Sequence, residues 1–591
     1  ENVRDTYSLS VSAGKFAGAH SLKVGFNGRV YRWGPYNNNH PAGAFNFNQV
    51  FTRGPNPFQA SPTAGFGLAS FLLGTGSGGS LQHLMRPAFG RRYYGVYVQD
   101  DWRVSSRLTL NLGLRYSLEA GATERHDRYA NIDPGAPSPL SQVPGLGPLR
   151  GSVSYLDANN RNLLNTDKNN FDPRIGLAYQ ASRSTVVRAG HGIFHVPMEI
   201  GNFGTFGFSS STPWITTRDG SLTIENPLSD PFPKGFNLPT NEKDPAFNIG
   251  YDLNSAIRDE RVGYTQQWSF SVQRELPRSF MVDLTYWGNK GTSLQWAVPF
   301  QLNWLPNKYL ALGSSLYDMV DNPFFGIIKA GSLSNRTVAR QQLLRPYPQY
   351  TSFSRANPMA ASSIYHAFTI KGERRMADFN FSASYTVGKA IDDSSSQANF
   401  LDQSGGILDM ENLRLERSLS AYDVAQRLVI SGVYELPVGR NKPWGSGMNA
   451  FLEGLAGGWT MSGILTAQSG IPITVGRPDN NGRSAKLDNP TIERWFDTPV
   501  FAPAQEFTFG NTGRLLPDVR KDGLANVDFG LFKNFRIQER FRLQFRWEMF
   551  NALNTPSFGF PNGNVNAAAF GVVSSQANEP RKMQFGLKLY W

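Results

Sequence analysis

Cysteine is absent from the 591 residues. That excludes a disulfide framework, a thiolate metal site and a cysteine nucleophile; a thiol-free chain suits an oxidising compartment without fixing one. No window approaches about 18 consecutive apolar residues, so no transmembrane helix is expected. The longest apolar patches are short, such as "FLLG" at residues 71–74. Charge is scarce too, at 18 % of residues against about 25 % in ordinary domains. The net charge of +12 is not gathered into a tract: there is no run of five Lys or Arg, only pairs such as Arg91-Arg92 and Arg374-Arg375. The bases are read as spread over loops and channel walls, and no nucleic-acid partner is expected. The opening "ENVRDTYSLS" has neither the basic start nor the apolar core of a signal peptide. Either the chain is cytosolic, or its true N-terminus lies upstream of Glu1.

What is plentiful is alternation. In "LTLNLGLRY", Leu108, Leu110, Leu112, Leu114 and Tyr116 share one face against Asn111, Gly113 and Arg115. "SLKVGFNGRV" aligns Leu22, Val24 and Phe26, and "QWSFSVQR" aligns Trp268, Phe270 and Val272. "FNFSASYTV" and "FRLQFRWEMF" do the same with Phe379 to Val387 and with Leu543 to Met549. A period of two over about 9–11 residues is a long strand with two different faces. The strands come in pairs: 3–12 with 20–32, 90–104 with 106–119, 171–181 with 184–196, 262–275 with 279–290. The rest are 364–374 with 377–390, 424–437 with 457–469, and 523–535 with 539–551 through "RIQER". A last strand, 581–591, ends the chain. Between pairs lie long Gly/Pro/Asn/Ser-rich stretches at roughly 33–89, 120–170, 197–261, 291–362, 391–423, 470–522 and 552–580.

Loops longer than about 15 residues are uncommon in compact domains, and seven of them need a reason. A transmembrane β-barrel supplies one: tilted strands of this length, short periplasmic turns and long extracellular loops. The fold class is therefore all-β, an antiparallel transmembrane barrel. About 15 strands are visible here, of a larger barrel of 22 or more. A soluble sandwich would use strands nearer 5–6 residues. Tyr93, Tyr94, Trp102, Tyr116, Trp287, Trp459 and Trp591 are candidates for interfacial girdles. Arg115, Arg188, Arg546 and Glu548 alternate away from the apolar set, as an inner face requires. Counting back from the last strand, the strand at 3–12 runs inward from outside, so at least one strand is expected upstream of Glu1.

No catalytic, cofactor-binding or metal-ligating residue is assigned, and the chain is not read as an enzyme. There is no His-Glu-x-x-His, P-loop or Gly-x-Ser-x-Gly. "GTGSGGS" (74–80) lacks the Lys-Ser/Thr of a phosphate loop and reads as flexible. His191 and His195 share a face but stand about 13 Å apart along a strand. "DNNGR" (479–483) lacks calcium-loop spacing and reads as a turn. Asp100 and Asp101 point to opposite faces, and Asp392-Asp393 is read as solvated near the membrane surface. Loop aromatics Phe203, Phe206, Phe208, Trp214, Phe324 and Phe325 either form a ligand platform or pack on one another.

The chain ends "RKMQFGLKLYW", with Met583, Phe585, Leu587, Leu589 and Trp591 in phase. Chain ends usually fray; a barrel's last strand pairs with the first to close the cylinder, and so does not. Gln584, Gly586, Leu589 and Trp591 also match a pattern resembling the C-terminal signal of bacterial outer-membrane proteins, which implies the barrel-assembly machinery as a partner. "YYGVYVQDDWRVSSRLTLNLGLRYSLE" (93–119) resembles TonB-dependent outer-membrane receptors. "NNFDPRIGLAYQ" (169–180), "DVAQRLVISGVYELPVGR" (423–440), "GGWTMSGILTAQSGIPITV" (457–475) and "RWEMFNALNTPSFG" (546–559) extend the resemblance toward the Oar-like branch. It spans nearly the whole chain and implies a domain at 1–591 that is the barrel part of such a receptor, in the bacterial cell outer membrane. The function implied is TonB-energised uptake of a ligand (glycan, peptide or siderophore), without chemistry on it. A plug, the TonB-contacting peptide and any Ig-like domain would precede Glu1. The rivals are a plug-free passive porin or adhesin barrel and a secreted soluble β-rich carbohydrate-binding protein or enzyme.

Overall fold

The computed structural model describes residues 3–34, 40, 42–54, 65–140, 142–196, 204–217, 222–296, 298–329, 331–356, 358–394, 406–440, 442–536 and 541–591. The period-two segments become fifteen long strands. They are β1 (Val3–Ala17), β2 (His20–Gly34), β3 (Phe89–Arg103), β4 (Leu108–Glu119), β5 (Phe171–Ser182), β6 (Thr185–His195), β7 (Tyr264–Leu276) and β8 (Phe280–Gln295). There follow β9 (Met359–Arg375), β10 (Phe379–Asp392), β11 (Gln426–Glu435), β12 (Trp459–Gln468), β13 (Leu524–Arg536), β14 (Arg542–Phe550) and β15 (Lys582–Tyr590). Each pairs antiparallel with its neighbour in sequence, in one continuous sheet. Among the described residues β1 pairs only with β2, and β15 only with β14. The closure expected of the final strand is therefore not made with β1. Glu1 and residues 537–540 of the "RIQER" turn lie outside the described residues.

Register carries one face around the whole sheet. Directly opposed residues point to the same side, and the pairs run Val11–Phe26, Val24–Val98, Val96–Tyr116, Leu112–Ile175, Leu177–Ala189 and Ala189–Phe270. They continue through Phe270–Tyr286, Tyr286–Phe368, Phe368–Val387, Ala383–Ile430, Ile430–Leu465, Leu465–Val527, Phe529–Met549 and Trp547–Phe585. Many of these side chains stand exposed: Leu9, Val11, Ile175, Phe270, Phe585 and Leu587 among them. In water such a surface would be an aggregation liability. Against lipid tails it is the outward face of a barrel. Charged and histidine groups of this phase keep outside a central apolar band of the sheet. Asp5, Arg32, Arg92, Lys290, His366 and Lys389 lie toward the long loops, and Lys15, Asp100, Arg274, Arg374 and Lys533 toward the short turns.

The expected girdle is partly corrected. Tyr94, Trp102, Tyr116 and Trp459 share the apolar face, and Trp591 follows β15, exposed. Tyr93 and Trp287 do not belong: register sets them opposite Glu119 and Ser269, on the polar face. Their parity points inward, and Trp287 stands at the middle of β8 rather than at its end.

Turns at one end are short, as between β1 and β2 or β5 and β6. At the other end, seven loops (35–88, 120–170, 196–263, 296–358, 393–425, 469–523 and 551–581) pack into a crown. They are less irregular than their composition suggests. Strand Gly78–His83 pairs with Ala44–Asn46 and with Ser210–Pro213. Asp252–Ser255 runs parallel to Ser352–Arg355. The second, third and fourth loops share a core of Ile132, Val153, Leu253, Tyr350 and Phe353. The sixth and seventh share Ile473, Trp495, Phe496, Phe501 and Val573.

Candidate functional site

The polar face of β2–β6 is where chemistry gathers. Asn27 and Arg29 on β2, Tyr93 and Tyr97 on β3, and Arg115 on β4 are in one phase. Arg115 donates from Nη2 to the Tyr93 hydroxyl (2.6 Å), from Nη1 to Asn27 Oδ1 (3.0 Å) and from Nε to Ser117 Oγ (3.2 Å). The Arg29 guanidinium sits 5.4 Å from the centre of the same Tyr93 ring. Two cations thus flank one phenol ring, an arrangement the ring quadrupole favours. Farther round, Arg174 lies 4.7 Å from the Phe194 ring, and Arg188 donates to Gln273 Oε1 (2.6 Å). None of these four arginines forms an ion pair among the described residues. Asp172, opposite Arg115 in register, turns instead to His195 Nδ1 at 2.7 Å. On β9, by contrast, Glu373 is shared by Lys371 and Arg375. The wall is therefore unevenly charged: β2–β6 is one basic sector, and β14–β15, with Arg542, Lys582 and Lys588 in the inner phase, is another.

The crown is fastened at its base by buried ion pairs. Arg477 grips both carboxylate oxygens of Glu416, and Arg514 meets Asp392. Arg520 meets Asp423 at 2.5 Å and also donates to the Gly470 carbonyl. Three arginines of the sixth loop thereby hold the fifth loop and the top of β10. Arg355 clasps Glu260 with two bonds, 2.7 and 2.6 Å. Bidentate pairs of this kind combine strength with a fixed geometry. Asp392 was expected to be solvated; it is buried on Arg514 because the sixth loop folds over the strand end. Asp393 accepts from Ser362 N and Oγ (2.8 and 2.7 Å). Burial, helped by the Asp392 charge, nevertheless holds its carboxyl above the usual range. Burial also pushes Glu124 up, but N–H donors from Arg128, Ala88 and His126 outweigh it, and its carboxyl lies below the ordinary value.

The aromatics proposed as a platform mostly pack inward. Phe208, Trp214 and Phe324 are buried; Phe206 packs against Phe247, 5.7 Å between ring centres. Phe325 is exposed, and Phe203 lies outside the described residues. The stretch at 74–80 is not simply flexible. Its second half is the strand Gly78–His83, and glycine is needed because a Cβ on Gly79 would stand 2.0 Å from the Ala44 carbonyl oxygen. "DNNGR" is a turn in which Asn480 Oδ1 accepts from Gly482 N (2.7 Å). Asp100 meets His20 on the outer face, and Asp101 accepts from Asn111 on the inner. No cluster that could hold a metal occurs among the described residues. The arginine–tyrosine sector was missed by sequence reasoning. Alternation placed Arg115 on the inner face, but only cross-strand register brings Asn27, Arg29 and Tyr93 beside it.

A family model described as "Outer membrane beta barrel domain" matches residues 1–584. No curated protein matches the chain. Among solved structures it is similar to the ferripyoverdine receptor of Pseudomonas aeruginosa, at 12 % identity over 100 % of this chain and 48 % of that one, TM-score 0.42. It is also similar to the outer membrane transporter YddB from Escherichia coli (8 %, 100 % and 54 %, TM-score 0.46). The siderophore receptor PiuA from Acinetobacter baumannii gives 8 %, 100 % and 56 %, TM-score 0.41. The chain spans about half the length of these structures.

Proposed function

The chain belongs to the outer membrane beta-barrel domain family, and from that premise we propose that it is the wall of a receptor taking up a ligand across the outer membrane. Its apolar face lies against outer-membrane lipid. The reading adds that uptake is energised by TonB, that the branch is Oar-like, and that no bond of the ligand is made or broken. A plug and the TonB-contacting peptide belong to residues outside these 591, and the barrel-assembly machinery reads β15 through Trp591. The carrying observation is the pairing of a basic, aromatic inner sector with a packed crown above it. A passive channel needs a polar lining but not a roof of buried cores. Among the described residues the outer edges of β1 and β15 have no partner, which also favours further strands, since unpaired backbone groups in hydrocarbon cost roughly several kcal/mol each.

The test is the intact mass and N-terminal sequence of the native protein from the detergent-extracted outer-membrane fraction. A mature chain extending at least a plug's length, about 100–150 residues, ahead of Glu1 supports TonB-driven uptake. A mature chain near 65.5 kDa leaves no room for a plug and turns the reading to a passive porin or adhesin.

A further inference from the structure

Of the seven short turns, five are bare and one, between β13 and β14, lies largely outside the described residues. The seventh, between β11 and β12, holds a helix, Ala450–Ala456, capped by Asn449, whose side chain accepts from Leu452 N at 2.9 Å. The helix is polarised. Glu453 turns back and accepts from Arg440 N (2.7 Å). Phe451 and Leu455, one turn apart, and Leu452 beside them are 78 %, 65 % and 45 % exposed, with Trp444 of the same turn at 67 %. Four large apolar side chains of one 23-residue turn thus stand exposed.

Its place on the wall is fixed by two contacts. Trp459 opens β12 on the apolar face and donates from its indole N–H to the Leu455 carbonyl (2.9 Å). Lys533 on β13 lies opposite both Trp459 and Phe545, so its phase is outward. It is nonetheless buried, its ammonium donating to the Gly457 carbonyl and lying 5.1 and 5.0 Å from the Trp459 and Phe535 rings. The helix end thus folds over the outside of the wall and seals a lysine that would otherwise face lipid. Its exposed apolar face continues the lipid-facing surface, at the end where Trp102 and Trp591 also lie.

We propose that this helix is an interfacial foot: Phe451, Leu452, Leu455 and Trp444 insert at the headgroup–acyl boundary of the leaflet on the short-turn side, and the partner of this surface is lipid. Amphipathic helices at an interface bury their apolar face about 5–10 Å deep, and tryptophan prefers that level. The foot anchors the rim where β11 and β12 emerge.

These 591 residues hold no cysteine, and any cysteine elsewhere in the native chain is first replaced by serine, so that each introduced cysteine is unique. The full native protein carrying Phe451→Cys, Leu455→Cys or, as a water-facing control in the β1–β2 turn, Ala19→Cys is spin-labelled. It is then reconstituted into phosphatidylethanolamine–phosphatidylglycerol vesicles. Collision with dissolved oxygen is compared with collision with a water-soluble nickel chelate. The expected result is a several-fold higher oxygen-to-nickel ratio at 451 and 455 than at 19. Ratios equal to the control place the foot in water, and loss of both collisions places it under a second copy or another protein; either result overturns the proposal. Retention of the compact, heat-modifiable band on electrophoresis establishes that each variant is folded. The outcome is independent of whether the barrel carries a plug or uses TonB.

Discussion

Phe585 in β15 and Phe496 in the sixth loop are the same side chain in opposite settings, 69 % exposed in the first and 0 % in the second. The contrast holds throughout. Most of the wall's apolar residues point away from the protein, and most of its polar ones line the inside. The crown's buried apolar residues point at one another, and every one of the largest fully buried side chains, from Ile132 to Leu515, lies in a loop. The difference is one of solvent. Lipid tails reward an apolar exterior and give strands no hydrophobic reason to bury it; backbone pairing holds the wall. Water surrounds the crown, which must fold as soluble proteins do, around cores of its own.

Several substitutions would break or sharpen that contrast. The largest effect is expected from Glu416→Ala, which leaves Arg477 buried without its carboxylate. It should cost the crown about 3–5 kcal/mol, read as rapid protease cleavage in the fifth and sixth loops while the wall keeps its heat-modifiable band. Phe496→Ala should act alike, near the same about 3–5 kcal/mol. Next comes Leu112→Arg, on the outer face of β4, at about 2–4 kcal/mol. It should lower the yield of barrel refolded into vesicles and leave crown proteolysis unchanged once folded, whereas Ser10→Arg on the inner face of β1 should leave yield unaltered. Phe585→Ala removes ring stacking on Trp547 and Phe545, 6.1 and 6.3 Å away, and little else. About 0.5–1.5 kcal/mol is expected, measured by urea unfolding in micelles; a loss as large as that of Phe496→Ala would erase the distinction between the regions.

The smallest effect is a pair of opposite pH responses at the crown's base. Glu124 has a folded value below its ordinary 4.5. Its contribution is present above pH 4.5 and is lost as pH falls through the folded value. Asp393 has a folded value above its ordinary 3.8. Its contribution is present below pH 3.8 and is lost as pH rises through the folded value. Protease-resistance profiles should therefore shift in opposite senses for Glu124→Gln and Asp393→Asn. Shifts in the same sense would contradict these settings.

The wall was legible in the sequence because one period decides it. Leu108 to Tyr116 against Asn111, Gly113 and Arg115 gives strand, face and phase at once, and all fifteen strands carry some version of that signal. The crown was not legible. Its short strands, such as Gly78–His83, sit in Gly-rich stretches whose composition reads as loop, and nothing local says that Leu253 will meet Phe353 a hundred residues on. Trp287 and Tyr93 fell between the two: their membership of strands was plain, but only counting phase from a neighbour sends them inward, and Trp287 lies at the middle of β8. Asp392 was misplaced because its partner, Arg514, comes from another loop.

The charges scattered along the outward face amount to a waterline. On β9, His366 and Arg374 bracket Phe368, Ile370 and Gly372, and the neighbouring strands repeat the limits with Lys290 above and Arg274 below. The two marks are eight residue steps apart, about 27 Å along the strand and, at a tilt of about 40°, about 20 Å in height, a little less than the roughly 25 Å apolar band of such proteins. Yet β9 has 17 residues and β15 only 9. On this flank the hull therefore stands well out of the hydrocarbon, and the molecule carries, written in its own side chains, a gauge of the membrane's thickness and a mast rising above it.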